Sequence, residues 1–194
     1  MRKLKSIEER ILDRALYLMG INKTCDIPIR TIAKEANVNV SAINYYFRSK
    51  EEMLRLVKEF YIENTLTVLA ILNNKNYKVE EMLVLTANEI MEYSLRFPGN
   101  MVILRDSKKR ADIDEVSRKI IDISAEIEKR LKELIRQLIL GDETYLNYKY
   151  LIFTASINYP TEYDGNEDLG GTLLVERKDR MTYLKLLIRT LIST

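Results

Sequence analysis

Residues 29–52 read IRTIAKEANVNVSAINYYFRSKEE, and this stretch decides the fold. Ile29, Ile32, Ala33 and Ala36 recur at helical spacing and predict a short helix over 28–36, with Pro28 at its first position, where a missing N–H costs nothing. Asp26, just upstream, is expected to help satisfy that helix's free N–H groups. Asn37 suits the left-handed residue that ends a helix, and Asn39 is the expected N-cap of a third helix near 40–47. Ser49-Lys50-Glu51-Glu52 has the form of a capping box, opening a longer helix to about Leu72.

On the third helix, Ile43 and Phe47 fall four residues apart on one face, suited to packing against Ile32 and Ala33. Ser41 and Tyr45 lie opposite, flanked by Ala42 and Asn44. The outward side therefore carries small or hydrogen-bonding groups and one exposed tyrosine. Such a face suits a major groove, where base edges offer donors, acceptors and thymine methyls. The short turn at Asn37–Asn39 gives the pair helix-turn-helix geometry.

Outward from this stretch, Ser6 and Glu9 make a second capping box before a helix over 7–19, which Gly20 is expected to stop. Further helices are expected over 79–97, closed by Pro98-Gly99, over 100–107, from Asp114 to Leu140, over 143–158, stopped by Pro160, and over 176–192. The segment 160–171 reads as a loop. With 6 glycines and 3 prolines in 194 residues, and no strand-period region, the expected fold is all-α. It divides into an N-terminal helix-turn-helix head over 1–50 and a helical bundle over 51–194.

Composition narrows the chemistry. The chain has no histidine and one cysteine, so Cys/His zinc sites and histidine-based catalytic pairs are excluded. No nucleophile motif or Gly-rich phosphate loop is present. The expectation is a protein that is not an enzyme and uses no metal or cofactor. A small helical enzyme using carboxylate or lysine chemistry, and a helical protein-interaction module whose helix-turn-helix has lost DNA binding, are the alternatives. Residues 1–60 hold 12 Lys/Arg against 8 Asp/Glu, and residues 61–194 hold 19 against 21, a mildly basic head on a mildly acidic body. The basic N-terminus is followed by Ser6-Ile7-Glu8-Glu9-Arg10 rather than an apolar core, and no apolar run is long enough to span a membrane, so a cytoplasmic location is expected. Cys25 reads as an inert, partly buried thiol, with a redox role as the alternative.

The order and spacing of Ile29-Arg30-Thr31-Ile32-Ala33, Asn37-Val38-Asn39, Tyr45-Tyr46-Phe47 and Ser49-Lys50-Glu51-Glu52 resemble the DNA-binding head of TetR family regulators. The resemblance covers about 50 residues; the remainder agrees in length and helical pattern. It implies that Arg30 reaches a base or phosphate, that Val40, Ser41, Ala42 and Asn44 sit at base edges, and that Tyr45, Tyr46 and Lys50 grip phosphates. A purely structural aromatic cluster is the other reading of Tyr45–Phe47. Ile27 and Pro28 depart from the family, which often places Thr or Ser before this helix; Thr24 or Arg30 is a substitute for that contact.

The resemblance further implies a repressor that binds a palindromic operator in double-stranded DNA as a homodimer and is released by a small-molecule effector. Tyr61, Asn64, Met82, Met91, Tyr93, Phe97, Met101 and Phe153 are candidates to line an effector cavity, with ordinary core packing as the alternative for each. A neutral, largely apolar effector fits them best. Dimerisation is expected through the helices at 143–158 and 176–192, which carry Tyr145, Tyr148, Leu151, Ile152 and Ala155, and Leu184 to Ile188.

Overall fold

Among the residues described in the computed structural model, 6–162 and 173–193, every regular element is a helix. They are α1 (Ile7–Ile21), α2 (Ile29–Glu35), α3 (Val40–Tyr46), α4 (Lys50–Leu72), α5 (Val79–Arg96), α6 (Asn100–Arg110), α7 (Glu115–Leu138), α8 (Glu143–Glu162) and α9 (Arg177–Ile192). Two compact units form, Met1–Thr65 with Arg96–Ile123 and Leu66–Leu95 with Ser124–Thr194.

Local signals place the starts of the early helices. Ser6 Oγ accepts from the Glu9 amide at 3.1 Å, Asn39 Oδ1 from the Ala42 amide at 2.7 Å, and Ser49 Oγ from the Glu52 amide at 3.1 Å. Each satisfies one N–H that the first helical turn leaves without a partner. Asn37 adopts φ 52°, the left-handed value that turns the chain out of α2.

In the first unit, α1 packs on α2 and α6, and α2 packs on α3. Its core includes Ile11, Leu16, Ile32, Ile43, Phe47, Val57 and Ile103. Gly20 does not stop α1, which runs on to Ile21. Its role is steric. A Cβ at Gly20 would lie 2.1 Å from the Gly99 nitrogen, and a Cβ at Gly99 would lie 2.2 Å from the Leu16 carbonyl oxygen. The backbone of α1 therefore lies directly on the Pro98-Gly99 turn. On the same side of α1, buried Asp13 pairs with Arg96 at 2.7 Å and with Arg14. Phe97 follows, buried edge-on against Phe60 with ring centroids 6.1 Å apart.

Two more helix ends differ from the sequence reading. α6 continues past 107 to Arg110, because the cations Lys108, Lys109 and Arg110 complement the partial negative charge of its C-terminus. α8 continues through Pro160 to Glu162. Proline has no N–H for the Ser156 carbonyl, and the Tyr183 hydroxyl of α9 donates to that carbonyl at 2.7 Å instead. The remainder of the loop expected over 160–171 lies outside the described residues from 163 onward.

The first unit also buries a cation. Lys58 of α4, 2% exposed, places Nζ 2.9 Å from Asp106 Oδ2, 2.9 Å from Asp114 Oδ2 and 2.7 Å from Ser117 Oγ. α4, the C-terminal part of α6 and the start of α7 are joined at one ammonium. In the second unit, buried Arg180 of α9 donates to Asn88 Oδ1 at 3.2 Å, the Leu174 carbonyl at 3.1 Å and Glu92 at 2.9 Å, tying α9 to α5. Buried Lys149 of α8 donates to the Leu191 carbonyl in the last turn of α9 at 2.9 Å.

Partial burial works against charge on Asp114, but the Ser117 hydroxyl and the Lys58 ammonium hold its carboxyl down at about 2. An unfolded aspartate titrates near 3.9, so this group's contribution to stability is complete above about pH 4 and is lost as pH falls toward 2. Asp114→Asn is expected to shrink the difference in urea-unfolding stability between pH 5 and pH 2; an unchanged difference contradicts the cluster. Gly20→Ala tests the helix–turn contact. In an ordinary helix interior this change stabilises by about 0.5–1 kcal/mol. Here the overpacking is expected to reverse the sign, with a net loss of about 1–3 kcal/mol in denaturant titration; a gain in stability means that the backbones do not touch.

Candidate nucleic-acid interface

The α2–α3 pair owes its orientation to what lies beneath it. Ile32, Ala33 and Ala36 are buried from α2, Ile43 from α3, and Phe47 just after α3. With these five inward, the remaining side chains of α3 face away from the core. Ser41, Asn44 and Tyr45 are exposed, Tyr45 to 84%, and Val40 to 37%. Ala42 and Tyr46 are half-buried. The structure thus brings Val40, Ser41, Ala42, Asn44, Tyr45 and Tyr46 onto one seven-residue helix with their backs to Ile43.

Tyr45 and Tyr46 stand edge to face with centroids 5.2 Å apart, and Tyr46 lies tilted against Phe47 at 6.3 Å. Tyr46 is thereby braced on the core through Phe47, whereas Tyr45 projects free of it. Arg30 is exposed in the first turn of α2.

Lys50 opens α4, and its ammonium pairs with Asp26. This corrects the expected role of Asp26. α2 has no side-chain cap, and Pro28 is its N-cap residue in extended backbone. Asp26 instead turns its carboxylate to Lys50, 24 residues further along the chain. The pair is largely open to water, so it holds Lys50 only weakly and can exchange for another anion.

Cys25 lies just behind this edge, half-buried. Burial, then the nearby Asp106 carboxylate, push its thiol up to about 11. A thiol with so little thiolate near neutral pH is a poor nucleophile, in keeping with the inert reading.

The residues suggested for an effector cavity are divided between the units. Tyr61, Phe97 and Met101 belong to the first; Met91, Tyr93 and Phe153 belong to the second. Met91 and Phe153 are fully buried, and the Tyr93 hydroxyl lies 3.0 Å from Thr67 Oγ1. Met101 is 44% exposed on α6. Asn64 and Met82 are buried. Sequence reasoning passed over Thr86 of α5, which is completely buried and whose hydroxyl has no hydrogen-bond partner among the described residues. No local pattern marks such a group, because its isolation is set by neighbours remote in sequence.

Residues 25–57 match the family model for bacterial regulatory proteins of the tetR family. Over 90 residues the chain is 32% identical to a Bacillus subtilis protein described as a probable HTH-type transcriptional regulator, YttP; this covers 45% of the chain and 44% of that protein, so the chain spans under half the length of this curated relative. The fold is similar to that of the TetR family transcriptional regulator PfmR from Thermus thermophilus, with TM-score 0.64 and 15% identity over 96% of this chain and 97% of that one. A TetR-family regulator from Bordetella parapertussis is similar at TM-score 0.64 and 16% identity, over 93% of this chain and 95% of that one. Residues 25–57, which hold α2, α3 and the start of α4, thus match the part of the tetR family of bacterial regulatory proteins that the family model describes, and the all-helical fold is similar to that of solved TetR-family regulators.

Proposed function

We propose that the chain is a transcriptional repressor that binds a palindromic operator as a homodimer and leaves it when a small molecule occupies the body. The observation that carries this reading is the outer face of α3, open to solvent while Ile43 and Phe47 anchor it from within. In the proposed complex, Asn44 reads an adenine edge, and Val40 and Ala42 offer methyl contacts to thymine. Tyr45, Tyr46 and Lys50 hold phosphates and fix the helix in register. Arg30 reaches a base or phosphate from α2. The head over 1–50 is the DNA-binding part, and 51–194 carries effector binding and dimerisation. Action in the cytoplasm, where the chromosome lies, follows from the same reading; no described helix is long and apolar enough to cross a membrane.

A dimer is supported by α8. Tyr148, Leu151, Ile152 and Tyr159 are 50–63% exposed at helical spacing, and Leu186 of α9 is 64% exposed. Apolar stripes of this kind mark association surfaces. A twofold interface built on them yields two heads and hence a twofold-symmetric operator. The candidate effector contacts are Tyr61, Phe97 and Met101 in the first unit and Met91, Tyr93 and Phe153 in the second, where the Thr86 hydroxyl, without a hydrogen-bond partner among the described residues, is a further polar anchor. An effector acts here by binding more tightly to the conformation whose heads no longer match the operator spacing.

Two measurements test the reading. Asn44→Ala is expected to relax preference at one base position by roughly 1–3 kcal/mol, while Tyr46→Phe weakens binding to all duplexes alike. Selection of bound sequences followed by affinity titration checks both, and an Asn44→Ala variant with unaltered preference overturns that residue's role. Leu151→Asp combined with Ile152→Asp is expected to give a helical monomer in sedimentation equilibrium. A persistent dimer would place the interface elsewhere.

A further inference from the structure

The last two turns of α6 read Arg105-Asp106-Ser107-Lys108-Lys109-Arg110, a basic run outside the helix-turn-helix. Its one acid is turned inward: Asp106 faces Lys58 at 2.9 Å and accepts from Arg110 Nε at 3.2 Å. Arg105, Lys108 and Lys109 are exposed, and none has an ion-pair partner among the described residues. The run therefore presents positive charge that the fold itself does not neutralise.

Its position gives that charge a partner. Thr24, Asp26 and Lys50 from the edge of the head share one surface depression of about 560 Å³ with Asp106 and Arg110 of α6. The end of α6 thus stands beside the start of α4 and the segment before α2. On that edge Lys50 shares its charge with Asp26, Ile27 is buried and Pro28 has no N–H, so cations at the end of α6 add to what Lys50 can supply.

We propose that the C-terminal turn of α6 is a second contact to the DNA backbone, in which Lys108 and Lys109, supported by Arg105 and Arg110, meet phosphates flanking the half-site held by α3. This rests on the DNA-binding reading and extends the footprint beyond the helix-turn-helix. Favourable interaction of these cations with the α6 dipole coexists with it, since that effect acts within the helix and needs no partner outside it. Contacts of this kind carry no sequence information. They raise affinity for every duplex and deepen its dependence on salt, by about 0.9 in the slope of log K against log salt for each phosphate neutralised.

Because the contact is blind to sequence, a random-sequence 30-base-pair duplex serves as the probe. Binding of the full chain is followed by fluorescence anisotropy from about 50 to 200 mM salt, the range over which phosphate contacts separate clearly. Lys108→Gln with Lys109→Gln is expected to flatten the slope by about two and to weaken binding roughly tenfold or more at the middle of the range. Lys75→Gln with Lys78→Gln removes the same net charge from exposed positions in the second unit and is expected to keep the wild-type slope. Thermal melting of both variants checks that the fold is intact. A wild-type slope in the Lys108/Lys109 variant, or an equal flattening in the Lys75/Lys78 variant, overturns the α6 contact and leaves the DNA-binding reading standing. No binding by the wild-type chain at the lowest salt overturns both.

Discussion

The head is held in place by a contact that has no side chain in it. Where α1 meets the Pro98-Gly99 turn, Gly20 and Gly99 let two backbones touch, and even one methyl group on either would overlap its neighbour. Asp13, Leu16 and Gly20 recur at three and four residues, so they form one line along α1. Asp13 takes Arg96, the Leu16 carbonyl faces Gly99, and Gly20 faces Pro98-Gly99. Steric fit and a buried ion pair thus fix the same face of the same helix to residues 96–99. α2 packs on α1 and α3 on α2, so the placement of the outward face of α3 descends from this seam.

Electrostatics fixes a second set of helices in that unit. A lysine as buried as Lys58 is tolerable only with its charge answered at close range. Asp106 and Asp114 answer it from two different elements, and the Ser117 hydroxyl oxygen accepts a further hydrogen bond from it. Removing either acid leaves the ammonium short of a partner, so the arrangement specifies where α6 ends and α7 begins. The inward turn of Asp106 has an outward counterpart, since the cations around it on α6 are left facing solvent.

What could be read from sequence was what local chemistry decides. Asn39, Ser6 and Ser49 cap as their positions require, because a cap bond spans only three residues. Asn37 turns left-handed for the same local reason. The inward and outward faces of α3 followed from periodicity alone, and with them which of its side chains meet solvent. The misreadings at Gly20, Asp26 and Pro160 had distant causes, whereas the end of α6 was shifted by the cations of its own last turn. Gly20 looked like a helix stop, but its partner lies 79 residues on. Asp26 looked like a cap, yet Lys50 claims it. The Lys58 cluster joins residues 48 and more positions apart, and no spacing rule reveals such a pairing. Pro160 looked like a terminator because the tyrosine that relieves it belongs to another helix.

That last arrangement links two positions that no sequence pattern connects. The Ser156 carbonyl has one donor from outside its own helix, the Tyr183 hydroxyl, and the residue that would normally serve it has no hydrogen to give. Losing the hydroxyl alone strands an acceptor, while replacing the proline alone makes an amide and a phenol compete for one oxygen. Drift at these two sites is therefore expected to be paired, and the crossing point of α8 on α9 is inherited as a unit rather than residue by residue.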